Sequence, residues 1–315
     1  MLGSHSRILT RPEPHVITPL AYLGFHDRVD AAPYDHINAA EAIRSFVDDL
    51  PNKERDYLEA LRSYTDTLYG RILHGSSRDL FLDKTPAYAL VLPFLTKLYP
   101  DASYVVLTRH PLAVMSSYAN SFFGGDWRAA NAYNPIVNRY IPAMARPLRE
   151  RPVSLVHVSY EQLVADPTAQ LERIFLYLGV DNEPGAVEYG KRFQTSKGMG
   201  DPIGVGQHER PVSSSLSKWV EELKADPHKR ALAEQIVERL EPADLCEWGY
   251  TPRELLEPLS ETSNGGSARL RPKTNSYVLQ RRVLLALRKQ VRKQPLGRLV
   301  RRVRYACDVL LRDSL

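Results

Sequence analysis

Residue types that bind phosphate groups follow three short apolar segments of the chain. Lys84, Arg109 and Tyr160 each stand at the end of such a segment. The segments are 80–82, 104–108 and 153–160. Their apolar, partly β-branched character is typical of buried parallel strands. Because ligands of parallel α/β sheets bind at the carboxyl ends of strands, we expect these side chains to lie at one anion-binding edge.

The segment after Arg109 strengthens this expectation. His110-Pro111 ends the strand, and the pattern from Leu112 to Phe122 predicts a helix. The free N–H groups and the dipole of a helix start attract anions. Arg109 adds a bidentate fork for phosphate, and Ser116 and Ser117 add hydroxyl donors. Spacing alone leaves open a second interpretation, in which Arg109 caps a surface and the serines merely fill a helix.

The elements that must position these residues alternate between strand and helix. Strands are predicted at the three segments above, and residues 1–9 are predicted as a helix end followed by a loop. Helices are predicted over 41–50, 52–73, 87–98, 112–122, 161–178, 219–223 and 228–248, with a long loop at 194–215. This alternation predicts an α/β fold, a mostly parallel sheet with helices on both faces.

The order and spacing of several motifs resemble the sulfotransferase superfamily, closest to its bacterial and tyrosylprotein branch. The motifs are Asp83-Lys84-Thr85-Pro86, Tyr99-Pro100-Asp101-Ala102, the run from Val106 to Ser117, the run from Val158 to Pro167, Tyr177-Leu178-Gly179-Val180, Leu216-Ser217-Lys218-Trp219 and Trp248-Gly249-Tyr250. The resemblance covers residues 1 to about 252. It implies a P-loop NTPase-like α/β fold and the donor 3′-phosphoadenosine 5′-phosphosulfate (PAPS).

The resemblance also implies roles for individual residues. Arg109 and Ser117 match the pair that holds the 3′-phosphate of the cofactor, with Ser117 a better match than Ser116. Tyr160 matches a tyrosine that contacts the nucleotide, and Lys218 matches a late lysine that reaches its phosphate end. Without the resemblance, Tyr160 and Lys218 would be read as a core tyrosine and a solvated lysine.

The resemblance further implies two catalytic residues. Lys84 matches a lysine near the transferred group. Glu13, in the segment 11–17, resembles the catalytic glutamate that removes the acceptor proton. His15 and His110 are alternative bases. His208, in the Gly-rich loop, is a candidate for the acceptor site, and an ordinary loop histidine is an equal reading.

The sequence departs from the family at its start. The family's loop of the type Pro-Arg-Ser-Gly-Thr-Thr, which cradles the 5′-phosphosulfate at a helix N-terminus, is not in this sequence. Met1–Ser6 matches the helix end that follows that loop, so we expect the first central strand and the phosphate loop, about 15–25 residues, to be missing. Either the start was assigned to an internal methionine, or the chain is truncated and has little sulfotransfer activity.

Composition is that of a globular protein, with 43% hydrophobic and 25% charged residues. The two cysteines, Cys246 and Cys307, exclude a disulfide framework and a Cys-built zinc site. The sequence contains neither a Gly-x-Gly-x-x-Gly motif after a strand, nor Gly-Lys-Ser/Thr, nor His-Glu-x-x-His. Dinucleotide enzymes, P-loop kinases and zincins are therefore disfavoured, and we expect no metal.

The net charge of +5 hides two opposite regions. Residues 267–315 hold fourteen Lys and Arg against two Asp, a net charge of +12, which leaves −7 on residues 1–266. We predict an α/β domain over 1–259, a linker over 260–267 and a tail of two basic amphipathic helices over 268–315.

The tail has three interpretations: docking on an anionic membrane surface, pairing with an acidic partner or with the acidic domain, or nonspecific nucleic-acid binding. Specific nucleic-acid recognition is not expected, because no recognised module accompanies the charge. No stretch has a signal-peptide pattern or the length to cross a bilayer. We therefore expect a cytoplasmic protein that can lie on the inner face of a membrane.

Taken together, the sequence predicts a PAPS-dependent sulfotransferase. Its acceptor would be a hydroxyl of a sugar, a lipid, a peptide tyrosine or a small alcohol. The alternative is a non-catalytic truncated homologue that binds a 3′-phosphoadenosine nucleotide, or a protein or membrane partner.

Overall fold

The computed structural model describes residues 1–12, 17–21, 36–191, 209–213 and 216–260. The strands are β1 (Ile8–Pro12), β2 (Leu80–Lys84), β3 (Tyr104–Thr108) and β4 (Leu155–Ser159). The helices are α1 (Ile17–Ala21), α2 (His36–Asp48), α3 (Glu54–Leu73), α4 (Leu92–Leu98), α5 (Pro111–Phe123), α6 (Trp127–Tyr133), α7 (Ile136–Glu150), α8 (Tyr160–Ala165), α9 (Pro167–Leu178), α10 (Lys218–Ala225), α11 (Pro227–Glu238), α12 (Pro242–Trp248) and α13 (Pro252–Leu256).

The strands pair in parallel, as the alternation of strands and helices predicts. Among the described residues they form two pairs, β1 with β2 and β3 with β4. The first register runs from Ile8 opposite Leu80 to Pro12 opposite Lys84. The second runs from Tyr104 opposite Leu155 to Thr108 opposite Ser159. In both pairs the carboxyl ends of the two strands lie side by side. The residues that follow the paired strands therefore start from neighbouring positions.

One hydrophobic cluster joins the two strand pairs. Ile8 of β1 and Val158 of β4 are buried in it together with Leu171, Ile174 and Phe175 of α9. Leu80 and Leu82 of β2 and Val105 of β3 pack against it. The α/β class is therefore confirmed: parallel strands pack on helices around a shared core.

The largest cluster is helical. It is built on α5, α6, α7 and the helices from α10 onward, with Phe123, Trp127 and Trp219 among its buried aromatics. Gly124, which ends α5, has φ 59°, a left-handed conformation that suits glycine at a helix end. This cluster fixes α10 against α5, the contact on which the candidate site depends.

Three predicted helices are each divided in the structure. The predicted helix 161–178 is α8 and α9, because Pro167 cannot continue α8 and Asp166 caps α9 by accepting from the N–H of Ala169. The predicted helix 228–248 is α11 and α12, with Pro242 at the start of the second. The predicted helix 87–98 is a 3-10 segment, Pro86–Val91, followed by α4, which has Pro93 in its first turn.

The prediction for the first residues was wrong in one element. Residues 8–12 form strand β1 rather than a loop, and Leu2–Ser4 is a short 3-10 turn. Ile8 and Leu9 are both buried, as residues of a core strand are. Their apolar run is too short for its pattern to predict a strand. The linker from residue 261 and the tail over 268–315 lie outside the described residues.

Side chains cover backbone carbonyls of β4. Arg173 Nη2 donates to the carbonyl of His157 at 2.5 Å, and Arg151 Nη1 donates to the carbonyl of Leu155 at 3.4 Å. Leu155 and His157 are two residues apart, so their carbonyls point to the same edge of the strand. That edge therefore faces arginine side chains.

Candidate functional site

The ends of β3 and β4 bring Arg109 and Tyr160 together. Thr108 and Ser159 are paired, so the next residue of each strand emerges at the same level. The guanidinium carbon of Arg109 lies 4.4 Å from the centroid of the Tyr160 ring. This is the geometry of a cation–π contact, which holds the positive charge at the carboxyl end of the strand pair.

The backbone around Arg109 is fixed by two further contacts. The indole N–H of Trp248 donates to the carbonyl of Arg109 at 2.9 Å. The N–H of His110 donates to Glu161 Oε1 at 2.9 Å, and Ser159 Oγ donates to Glu161 Oε2 at 2.9 Å. Glu161 therefore joins the ends of both strands, and the Arg109 backbone has little freedom to move.

His110 is packed rather than presented to solvent. Its ring stacks on Trp219 at a centroid distance of 4.1 Å and meets the edge of Tyr250 at 5.2 Å. Burial lowers the pKa of His110 to about 4, with Arg109 also lowering it and Glu161 opposing the shift. Among the described residues neither ring nitrogen has a hydrogen-bond partner. His110 is therefore neutral at pH 7, and in this structure it packs α10 against the start of α5.

The two serines of α5 have different surroundings. Ser117 is exposed, whereas Ser116 is buried and donates to Glu222 Oε2 at 2.5 Å. The hydroxyl of Ser116 is thus already bonded within the core, whereas that of Ser117 faces solvent. The role of Ser117 stays a prediction. Lys218 is exposed at the first position of α10.

Lys84 stands at the end of the other strand pair. It is exposed at the last position of β2, beside the end of β1. The preceding carboxylate, Asp83 Oδ2, accepts hydrogen bonds from the hydroxyls of Tyr69 at 2.5 Å and Tyr88 at 2.8 Å. Burial, together with these bonds to Asp83, raises the pKa of both phenols, so they remain donors at neutral pH. The chain entering Lys84 is therefore anchored from α3 and from the 3-10 segment after β2.

Three predicted positions lie outside the described residues. They are Glu13, His15 and His208. Glu13 directly follows β1, whose last residue is paired with Lys84. In the described part of the chain, no group of three or more His, Cys, Asp or Glu side chains is placed to hold a metal ion.

Comparison with known proteins decides the family. The sequence model of the sulfotransferase family matches residues 1–184, more than half of the chain. The chain belongs to the sulfotransferase family. The matched range takes in Lys84, Arg109, Ser117 and Tyr160, while Lys218 lies beyond it.

The chain is also similar to a curated protein, the nodulation protein NoeE of Sinorhizobium fredii (strain NBRC 101917 / NGR234). The two are 25% identical over an alignment of 202 residues, and the match covers 58% of this chain and 46% of the relative. The chain thus spans about half the length of the curated relative it matches.

Two solved sulfotransferase domains are also similar. The sulfotransferase domain from the Synechococcus PCC 7002 olefin synthase is 24% identical, with a TM-score of 0.45, and the match covers 69% of this chain and 80% of that domain. The sulfotransferase domain from the curacin biosynthetic pathway is 20% identical, with a TM-score of 0.41, covering 69% and 83%.

Sequence reasoning missed the residues that support the candidate site. Glu161, Glu222, Trp248 and Asp83 each fix the backbone or a neighbour of a predicted site residue. A signal was present for Glu222, which follows Lys218 by one helical turn beside the buried Trp219 and Leu223. A charged residue between two apolar ones on a short helix is nevertheless usually solvated, so this signal is weak.

Proposed function

We propose that the chain transfers a sulfuryl group from PAPS to an acceptor hydroxyl. The observation that carries the proposal is the juxtaposition of Arg109 and Tyr160 at the carboxyl ends of β3 and β4, directly before α5. A guanidinium fixed beside a helix start suits a phosphate group, and an aromatic ring beside it suits a nucleotide. Membership in the sulfotransferase family supports the reaction class.

In this proposal four residues bind the nucleotide. Arg109 and Ser117 hold the 3′-phosphate of the donor, the first through its guanidinium and the second through an exposed hydroxyl. Tyr160 contacts the nucleotide while holding Arg109 in place. Lys218, exposed at the start of α10, adds a second cation. The contact between the His110 and Trp219 rings keeps that helix start next to Arg109.

Two residues act on the transferred group in this proposal. The acceptor oxygen forms a bond to sulfur while the bond from sulfur to the bridging phosphate oxygen breaks, and 3′-phosphoadenosine 5′-phosphate leaves. Lys84 stabilises the negative charge that develops on the bridging oxygen. Glu13 receives the acceptor proton. A sulfuryl group carries less charge than a phosphoryl group, so the proposal needs no metal.

Nucleotide binding is the first test. Calorimetric titration with 3′-phosphoadenosine 5′-phosphate should show binding to the unaltered chain, and Arg109→Ala should abolish it because the phosphate loses its bidentate partner. Arg253→Ala, which removes an exposed arginine of α13, is the matched control and should bind normally. Unchanged affinity in Arg109→Ala would refute the assignment of this residue.

Group transfer is the second test. Labelled PAPS should be incubated with sugar, lipid, tyrosyl-peptide and small-alcohol acceptors, and label in one class would identify the acceptor. Glu13→Ala should remove the transfer because no base takes the proton. Nucleotide binding without transfer to any class would instead favour the non-catalytic alternative.

A further inference from the structure

Glu222 is a buried carboxylate that accepts four hydrogen bonds. Its side chain comes from α10 and only 7% of its surface is exposed. Oε2 accepts from Ser116 Oγ at 2.5 Å and from Asn120 Nδ2 at 3.0 Å. Oε1 accepts from Trp127 Nε1 at 3.1 Å and from Lys229 Nζ at 2.6 Å. One carboxylate thus ties α10 to α5, α6 and α11.

The donor set suits the ionised carboxylate. Burying a charge is costly unless it is paired and hydrogen-bonded. Lys229 supplies the opposite charge, and its side chain is itself largely buried, with 24% exposed. The three neutral donors bond the remaining lone pairs. All four donors bond to the Glu222 carboxylate. These bonds favour one position of α10 against α5.

The chain places two candidate nucleotide ligands beside this cluster. Lys218 precedes Glu222 by four residues, so the two side chains lie on one face of α10, a turn apart. Ser117 directly follows Ser116 on α5. In each helix an exposed candidate ligand therefore adjoins a buried residue that bonds to the other helix.

A second contact repeats this arrangement at the start of both helices. Trp219, next to Lys218, stacks on His110, next to Arg109. The contacts between Glu222 and Ser116 and between Trp219 and His110 thus fix α10 against α5 at two levels. Rotation or sliding of α10 would break both contacts.

We propose that Glu222 is a positioning residue that holds Lys218 and Ser117 toward one phosphate group, an inference that rests on the proposed function. The ligand concerned is the 3′-phosphate of an adenine nucleotide. Glu222 does not touch the nucleotide. It acts through α10 and α5, and Lys229 and Trp127 maintain its position.

The test compares two nucleotides on one variant. Glu222→Gln keeps the size of the side chain but removes the charge and sets an amide NH₂ against the donors. We expect its affinity for 3′-phosphoadenosine 5′-phosphate to fall about tenfold, as expected when a charged hydrogen-bond network is lost. Its affinity for adenosine 5′-phosphate, which lacks the 3′-phosphate, should stay within about twofold, since the interactions that depend on Lys218 and Ser117 are absent from that complex. Calorimetric titration measures both.

The controls separate the possible outcomes. Glu234→Gln, which alters an exposed pair with Arg230 on α11, should change neither affinity. Equal losses for both nucleotides, or no loss for either, would overturn the role of Glu222 while leaving the proposed function standing. An unaltered chain that binds neither nucleotide would overturn the proposed function and this role with it. Should Glu222→Gln fail to fold, Ser116→Ala removes one donor and is expected to give a smaller loss, about threefold, for the 3′-phosphorylated nucleotide alone.

Discussion

Arg109 is partly desolvated by its own neighbours before any ligand arrives. The Tyr160 ring covers one face of its guanidinium, and its carbonyl is held by Trp248. A cation fixed in this way loses little side-chain entropy when it binds a phosphate. The Tyr160 ring therefore contributes to the nucleotide affinity that we assign to Arg109.

Replacing Tyr160 tests this contribution. Tyr160→Leu removes the cation–π contact, worth about 0.5–2 kcal/mol, so nucleotide affinity should fall about two- to thirtyfold. Tyr160→Phe keeps the ring under the guanidinium and should lose clearly less. Calorimetric titration of both variants with 3′-phosphoadenosine 5′-phosphate gives the comparison, and equal losses would show that the hydroxyl, not the ring, matters.

The lowered pKa of His110 predicts that the stability of the fold depends on pH. Its pKa is about 4 in the folded protein against an ordinary value of 6.5. As the pH falls through this interval the unfolded chain binds a proton that the folded chain does not, so the free energy of unfolding decreases. The full decrease in the free energy of unfolding is of the order of 3 kcal/mol. It is absent at pH values above the ordinary histidine pKa of 6.5.

The variant His110→Phe keeps an aromatic ring against Trp219 but cannot titrate. We expect its urea-unfolding free energy to decrease less than that of the unaltered chain between about pH 7.5 and about pH 5. His74→Ala, which removes an exposed histidine, should leave the original pH dependence in place. If the unfolding free energy of His110→Phe changed with pH as steeply as that of the unaltered chain, titration of His110 would not be the cause of the pH dependence.

At the scale of residues, the sequence predicted those candidate site residues that directly follow a strand. Arg109 and Tyr160 follow strands, and strand ends are readable from short apolar runs. The choice of Ser117 over Ser116 rests on the family's spacing and stays a prediction, and the structure adds only that Ser116 donates to Glu222. Glu161 and Glu222 could not be found in this way, because the bonds that tie them to His110 and to Ser116 join residues more than fifty positions apart in the chain.

Two helices of the described part of the chain begin with an aspartate followed by a proline. Asp166 precedes Pro167 at the start of α9, and Asp226 precedes Pro227 at the start of α11. In each pair the carboxylate accepts from N–H groups of the first turn, and the proline occupies a position that needs no N–H. The cap at Asp226 also orients the turn that carries Lys229, the charged partner of Glu222.

Asp226→Ala should therefore destabilise the domain. Loss of the cap costs about 1 kcal/mol, which corresponds to a decrease of about 2–4 °C in the melting temperature. Asp226→Asn can still accept the same bonds and should melt close to the unaltered chain. Thermal unfolding followed by circular dichroism measures the difference, and equal melting of the Ala and Asn variants would exclude the capping role.

At the scale of elements, the sequence predicted most helices but not all their boundaries. Apolar periodicity continues through Pro167 and Pro242, so it does not reveal that each ends one helix and begins another. Strand β1 was missed because five residues, two of them with charged or ring-constrained side chains, give too short a pattern. Its identity depends on pairing with β2, about seventy residues later.

At the scale of the whole molecule, the basic region over 267–315 predicts binding to anionic surfaces. None of the helices in the described part of the chain is long and apolar enough to cross a bilayer. A segment of charge +12 would instead bind through electrostatic attraction. The full chain should therefore co-sediment with phosphatidylserine vesicles at low salt, and a form lacking 267–315 should not.

Neutral vesicles are the control for this experiment, and they should bind neither form. High salt should release the full chain, since surface charges are screened. Equal co-sedimentation of both forms with anionic vesicles would end the membrane interpretation of the tail and leave its two others, pairing with an acidic partner or domain and nonspecific nucleic-acid binding.

The sequence also predicted parallel connectivity for the whole domain, because helices separate successive strands. It could not predict that β2 and β3 are not hydrogen-bonded neighbours among the described residues. Strand order depends on which backbones pair, and apolar runs such as 80–82 and 104–108 carry no information about their neighbours.

The arginines that cover the carbonyls of β4 affect how separate molecules behave toward one another. An open strand edge is a template on which a second chain can add a strand, and such addition leads to aggregation. Arg151 and Arg173 bond to carbonyls of β4, and their charges repel an identical edge. Among the described residues β4 pairs with β3 alone, so we expect these charges to hinder crowded copies of the folded domain from joining along the other edge of β4.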